Sequence, residues 1–371
     1  VPRLDGSGAT TPLAKLLRRR IASAGPIGVA EYMAEALGHP RYGYYTRRDP
    51  LGRDGDFITA PEISQMFGEL IGLWCAAVWQ AIGRPDPLRL IELGPGRGTL
   101  IADGLRAAAR TVPEFSSALR LHLVETSPVL RDRQRRSLAP IGPRLRPAWH
   151  RSLSSVPRGP VVVVANEFFD ALPVHQYVRV ADGWRERMVG LSADGGRFRF
   201  VLEPTGNLDP LPAADVGGEG DLVEVCPEAT ATAGAIGERV ARDGGAALII
   251  DYGHPRSAAG DTLQAVRRHL FDDVLDRPGE ADLTHHVDFE ALARAASAAG
   301  ARPYGPIPQG VFLCRLGIER RAATLLASAT PEQALDIRAA LRRLVHPREM
   351  GDLFKAVAIA HPDFPPPPGF D

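Results

Sequence analysis

Residues 88–99 read LRLIELGPGRGT, and the order of residue types in that stretch decides the fold. Leu88, Leu90, Ile91 and Leu93 make a short apolar run that predicts a buried parallel strand, and it empties into three alternating glycines, Gly94, Gly96 and Gly98. Beyond the turn, Leu100, Ile101, Gly104 and Leu105 fall at helical spacing. A glycine-spaced turn between a strand and a helix lets backbone approach a nucleotide closely, with the helix N-terminus facing it.

Two details separate the nucleotides that such a loop serves. A dinucleotide fingerprint places its third glycine one position later, where this chain has Thr99. Glu92, two residues before the first glycine, would repel a pyrophosphate but attract the ammonium of a methionine moiety. A second carboxylate, Glu125, ends the next apolar run, LRLHLVE (119–125), where it can accept hydrogen bonds from both ribose hydroxyls. Together these predict S-adenosyl-L-methionine as cofactor, held by Glu92, Gly94, Gly96, Gly98, Thr99 and Glu125; a nicotinamide enzyme and a glycine turn without ligand are the competing readings.

The rest of the chain follows a doubly wound alternation. Strands are expected at 88–93, 119–125, VVVVANE (161–167), AALIIDYG (246–253) and VFLCRLGI (311–318), with helices at 98–109, 127–138, 228–242 and 288–299. The predicted class is α/β, with a mostly parallel sheet. Residues 174–204 interrupt the alternation with β-like runs separated by Ala-Asp-Gly and Asp-Gly-Gly turns, which predicts an inserted β-ribbon. Ahead of the core, residues 11–38 read as two short amphipathic helices broken at Gly25-Pro26, and 68–82 as a third. Between them lies a long Gly/Pro-punctuated loop of the kind that carries function. The linear division is therefore 1–85 as helical addition and lid loop, 86–320 as core, and 321–371 as helical extension with a proline-rich tail expected to be disordered.

In the 371 residues, 44 Lys and Arg balance 44 Asp and Glu, so no net field favours nucleic acid or an anionic bilayer. No apolar stretch approaches the roughly twenty residues of a membrane span. Cys75, Cys226 and Cys314 lie apart in apolar company and read as reduced core residues, without zinc spacing. A soluble protein of the cytoplasm, or of the mitochondrial matrix, is the expectation. The arginines at 131, 133, 135 and 136 read as a solvated helix face, and the paired helices of the preface leave a homodimer open.

Ligands of an open parallel sheet bind beyond the carboxyl ends of its strands. Four such ends are polar here: Glu92 with its loop, Glu125, Asn166 to Asp170, and Asp251 to His254. Methyl transfer from a sulfonium needs the acceptor positioned and its proton managed, and Glu167 and Asp170, with Asn166, are the candidate catalytic residues. Their competing role is to cap the following helix. In GDFITAPEISQ (55–65), Pro61 suits the start of a helix, while Asp56, Glu62, Ser64 and Gln65 are candidates for covering the cofactor. In DLTHHVDF (282–289), Asp288 or Thr284 is expected to cap a helix with His285 or His286 near the acceptor; no metal is expected.

The segments TPLAKLLRRRI, GDFITAPEISQMFGEL, IELGPGRGTL, NEFFDALPVHQ, IIDYGH, GDTLQAV and DLTHHVDF, in that order, resemble the MidA family of class I methyltransferases, from about residue 11 to about residue 360. The family includes the mitochondrial complex I assembly factor that methylates arginine. The resemblance implies a seven-stranded Rossmann-like core with an N-terminal helical addition, S-adenosyl-L-methionine as donor, and a protein substrate, an arginine in the 49 kDa-type subunit of complex I. Its glycine loop falls on Gly94, Gly96 and Gly98. Two other functions stay open: a methyltransferase of a small molecule, and an assembly chaperone whose donor site is structural.

Overall fold

The computed structural model describes residues 10–47, 59–142, 145–203 and 218–371. The chain forms two compact units: one comprises Val1–Phe57, Asp170–Ala229 and Arg256–His286, the other Ile58–Phe169, Thr230–Pro255 and Val287–Asp371.

The larger unit is built on seven strands: β1 (Leu88–Leu93), β2 (Leu119–Val124), β3 (Ala148–His150), β4 (Val161–Asn166), β5 (Gly245–His254), β6 (Arg302–Pro308) and β7 (Phe354–Ala360). Their order across the sheet is β3-β2-β1-β4-β5-β7-β6. The pairs from β3 to β5 are parallel, and β7 runs antiparallel to both β5 and β6. A short strand, Val287–Asp288, adds to the end of β5. β4 is buried along its whole length, as its four consecutive valines require of a strand covered on both faces.

On one face, Leu90, Leu121, Val162, Val164, Leu248 and Ala358 join a core with the helices Gln65–Ala81, Thr99–Thr111 and Gln309–Arg315. On the other, Val163, Ala247, Ile249 and Ile359 are equally buried, as are Ala233, Ile236 and Val240 of the helix Pro227–Asp243. Helices Gln65–Ala81 and Thr99–Thr111 touch at their backbones, because a Cβ on Gly72 would fall 2.2 Å from the Cα of Gly104.

Three expectations are corrected in this unit. VFLCRLGI lies mostly in a helix, Gln309–Arg315, because Phe312, Leu313 and Leu316 follow helical spacing. The strand β6 is instead Arg302–Pro308, whose prolines an edge position tolerates and whose register shifts between Tyr304 and Ile307. The proline-rich end is anchored: the carbonyl of Pro368 accepts from Trp74 Nε1 at 3.0 Å, that of Gly369 from Arg315 Nη1 at 3.1 Å, and the Phe370 ring lies 5.2 Å from that of Phe312. Cys314 is exposed, whereas Cys75 is buried.

In the smaller unit the expected ribbon is a sheet in the order Ile27–Gly28, Gly183–Leu191, His175–Val180, Leu222–Val225, with Phe198–Leu202 also on Gly183–Leu191. Helices Pro12–Ala24 and Val29–Gly38 form where expected, the first capped by Thr11. Leu13, Leu17, Ile21, Tyr32 and Met33 share a core with Val174, Val189 and Leu283. The N-terminal helices and the ribbon therefore form one body rather than two separate additions. Their apolar faces, which raised the idea of a dimer, are buried within this unit. Among the described residues no helix is long and apolar enough to cross a membrane.

The contact at Gly72 fixes how closely its helix lies against the next. Gly72→Ala is expected to destabilise by about 2 kcal/mol or more through overpacking. Gly38→Ala, with open space at its Cβ, is expected to change stability by less than about 0.5 kcal/mol. Urea unfolding of the two variants measures both.

Candidate functional site

β1 and β4 are hydrogen-bonded neighbours whose onward connections leave in opposite directions, β1 toward β2 and β4 toward β5. Their carboxyl ends are therefore the topological switch point, where an open α/β sheet leaves a crevice. The glycine loop fills the β1 side. Gly94, Gly96 and Gly98 have φ of 59°, 53° and 79°. At Gly94 the need for glycine is twofold, since a Cβ would also stand 2.9 Å from the Phe168 ring. The Gly94 amide donates to the carbonyl of Val124, and Gly98 is the left-handed residue from which the helix Thr99–Thr111 starts.

Glu92 is 3% exposed, and its Oε2 has no hydrogen-bond partner among the described residues. Burial pushes its carboxyl up to about 8. The buried thiol of Cys75 is raised as well, by burial first and by the Glu92 charge second. A buried carboxyl oxygen left without a donor suits a cationic or hydrogen-bond-donating group.

Glu125 ends β2 and is also buried. Its Oε1 accepts from the Ser127 amide at 2.7 Å and its Oε2 from Gln134 Nε2 at 3.2 Å. Desolvation raises its pKa, and these hydrogen bonds oppose that rise. Ser127 in turn caps the helix Pro128–Leu138.

At the end of β4, Asn166 Nδ2 donates to Glu167 Oε1 at 3.1 Å, while Asn166 Oδ1 is buried without a partner among the described residues. Glu167 has φ of 49°, a left-handed conformation that L side chains rarely adopt. Its amide extends the ladder to the carbonyl of Ile250, and its Oε1 also accepts from the Ala60 amide at 2.9 Å. The turn is clamped from β5: Asp251, fully buried, accepts from the amides of Phe168 and Phe169 through Oδ2 and of Tyr252 through Oδ1. Glu167 thus does not cap a following helix, since a bend and turn succeed it.

The TAPEISQ segment sits over the glycine loop. Ala60–Ile63 is a single helical turn with Pro61 in its first positions. Glu62 Oε1 accepts from Thr99 Oγ1 at 2.5 Å, and its Oε2 lies 3.6 Å from Arg97 Nη1. Ser64 caps the helix that begins at Gln65, and Gln65 itself is exposed. Asp56 lies outside the described residues.

Among the predicted site residues, the larger unit brings together Glu92, Gly94, Gly96, Gly98, Thr99, Glu125, Asn166 and Glu167. Asp170 belongs to the smaller unit, where it is buried and its carbonyl accepts from the His285 amide at 3.0 Å. His285 Nδ1 and Nε2 lie 3.0 and 3.1 Å from the carbonyls of His286 and Leu172, so backbone engages both ring nitrogens. Asp288, not Thr284, caps the helix Phe289–Ala298.

Sequence reading missed Gln134. It is fully buried, and its Nε2 donates both to Glu125 and to the carbonyl of Gly96 at 2.8 Å. The signal was available, because Leu130, Gln134 and Leu138 share one helical stripe and all three are buried. In the arginine cluster around it, Arg133, Arg135 and Arg136 are exposed as expected, but Arg131 is not on a solvated face, since its Nε donates to the carbonyl of Glu125 at 2.9 Å and its Nη2 to that of His150 at 3.1 Å.

Comparison with known proteins agrees with this geometry. Residues 70–307 match a family of S-adenosyl-L-methionine-dependent methyltransferases. The chain is 42% identical to the mitochondrial protein arginine methyltransferase NDUFAF7 homolog of Drosophila melanogaster over 96% of this chain and 88% of that protein. It is 40% identical to the Homo sapiens protein arginine methyltransferase NDUFAF7, mitochondrial, over 94% and 83%. A crystal structure of a Burkholderia thailandensis protein bound to S-adenosyl-homocysteine superposes with a TM-score of 0.81 at 33% identity, covering 97% of this chain and 92% of that one.

The orphaned carboxyl makes a pH prediction. An acid neutral in the fold up to about 8, but ionising near 4.5 when unfolded, stabilises the ligand-free fold below the lower value; that contribution is lost as pH rises through the upper. Stability of the ligand-free protein is expected to fall between pH 5 and about 8.5 by a Glu92-dependent amount on the order of a few kcal/mol. Glu92→Gln is expected to flatten that part of the profile, read by denaturant unfolding at several pH values.

Proposed function

The chain belongs to this S-adenosyl-L-methionine-dependent methyltransferase family, and from that premise we propose that it methylates arginine in a protein. The observation that carries the donor side is Glu92, a buried carboxyl whose Oε2 has no partner among the described residues, beside a glycine loop at the switch point. Under this reading Glu92 and the loop Gly94–Gly98 hold the methionine end of the donor, with Thr99 at the start of the adjoining helix. Glu125 reads the ribose, its Oε1 oriented by the Ser127 amide and its Oε2 by Gln134. When bound, the donor supplies an already activated methyl group.

The acceptor side rests on Glu167. A guanidinium keeps its proton to pH above about 12, so it needs an oriented carboxylate that stabilises its charge and receives a proton as the methyl arrives. The Ala60 amide and Asn166 Nδ2 fix Glu167 Oε1, and Asp251 fixes the turn that follows. Asn166 Oδ1 is a second acceptor at the same strand end. Asp170 is proposed as a further carboxylate for the guanidinium, on its position in the NEFFD motif.

The protein substrate is inferred from relatives named protein arginine methyltransferases. A subunit of respiratory complex I, of the 49 kDa type, is the proposed target, on the family resemblance. The mitochondrial matrix, or the cytoplasm in a bacterium, is the matching place of work.

Incubation with the donor and the isolated 49 kDa-type subunit, followed by peptide mass spectrometry, is expected to show methylated arginine. Glu167→Gln is expected to lower turnover by about 100-fold or more while changing donor affinity less than about threefold. Full turnover in that variant would refute the role of Glu167. Methylation of a small molecule with none on protein would refute the proposed substrate. Restoration of complex I assembly by a Glu167→Gln protein shown to be inactive would favour the chaperone reading.

A further inference from the structure

Gln134 meets three groups and nothing about it is left to solvent. Its Nε2 donates to the carbonyl of Gly96 at 2.8 Å and to Glu125 Oε2 at 3.2 Å, and its Oε1 accepts from Trp149 Nε1 at 2.8 Å. The side chain lies on the helix Pro128–Leu138 and is fully buried. These partners admit only one orientation of the amide. A flipped amide would set its carbonyl against the Gly96 carbonyl and the Glu125 carboxylate, and its NH₂ group against the indole N–H. The indole, which donates only, therefore dictates which edge of Gln134 faces the site.

We propose that Gln134 is a positioning residue for the donor: it sets the plane in which the Glu125 carboxylate meets the ribose and couples that carboxylate to the carbonyl of the glycine loop. The inference rests on the reading of Glu125 as the ribose acceptor. The Ser127 amide at Oε1, Gln134 at Oε2 and the Thr126 amide together set the orientation of this carboxylate. A ribose presents two hydroxyls, so the acid must be held in a fixed plane to meet both. The helix comes close enough to transmit that constraint, since a Cβ on Gly98 would lie 3.4 Å from Gln134 Cα. One amide thus holds both the acid that reads the sugar and the loop that faces the methionine end.

Titration calorimetry with S-adenosyl-homocysteine and its 2′-deoxyribose analogue tests this. The wild-type chain is expected to prefer the ribose form by about tenfold or more, from a hydroxyl bonded to a charged acceptor. Gln134→Met, which keeps the side-chain length and removes every hydrogen bond, is expected to reduce the preference below about threefold. Its affinity for the deoxy analogue should stay within about threefold of wild type. Trp149→Phe, which keeps an aromatic ring but removes the indole N–H with part of the bicycle, is expected to lie between; it carries the test if Gln134→Met does not fold. A purely structural role would weaken both ligands in equal proportion or neither, and an undiminished preference in both variants would overturn the proposal. Glu125→Ala separates the two levels. If it abolishes the preference while Gln134→Met and Trp149→Phe keep it, the positioning role alone fails; if it leaves the preference intact, the ribose reading of Glu125 fails and the positioning role falls with it.

Discussion

The constraint on which the larger unit depends is the reversal of direction between β1 and β4. These strands are adjacent and parallel, yet one hands its chain to β2 and the other to β5, so no connecting helix crosses the space beyond their carboxyl ends. Backbone and side-chain groups that would be satisfied elsewhere in a sheet are instead left facing a crevice. Glu92 is the clearest case. It stands between Ile91 and Leu93 in a mostly apolar strand, and burial lifts its carboxyl to about 8. A site for a cationic ligand stabilises the ionised carboxylate that the bare protein disfavours.

Two devices hold the crevice in shape. On the β1 side, three glycines at positive φ bring the loop back under Phe168 and against Gln134, so loop, aromatic ring and Glu125 form one cluster. On the β4 side, Glu167 occupies a conformation costing roughly 1–3 kcal/mol for a residue with a side chain. Asp251 offsets that cost by taking the amides of the next two residues, and the Ala60 amide and Asn166 hold the carboxylate itself. Strain at Glu167 and the orphaned Glu92 oxygen lie at neighbouring strand ends, which is where an enzyme of this architecture does its chemistry.

Much of this was legible in the sequence. Glycine spacing, the apolar strands at 88–93, 119–125, 161–167 and 246–253, the acids at their ends and the cap at Asp288 are local signals, and the structure places these in the expected elements. What sequence alone did not reveal depends on long-range partners. Pro303, Pro306 and Pro308 argue against a strand until an edge position accommodates them, and the terminal prolines look unanchored until Trp74 and Arg315 supply donors. Pairing of Ile27 with Val189 joins segments far apart in sequence, so no local pattern announces that preface and ribbon share a body. Gln134 was hidden by composition: four arginines around it suggested solvent, although its spacing from Leu130 and Leu138 marked the buried stripe.

The most direct test of the donor site is calorimetric titration of S-adenosyl-L-methionine, S-adenosyl-homocysteine and NAD into the intact chain at pH 7, in buffers of different ionisation enthalpy, with Gly96→Val in parallel. The account predicts that the first two bind with release of a proton, because a neutral Glu92 must ionise to pair with the ligand ammonium, that NAD does not bind, and that the variant, forced from a φ of 53°, loses the binding. Preference for NAD, absence of binding, or undiminished binding by Gly96→Val would contradict it.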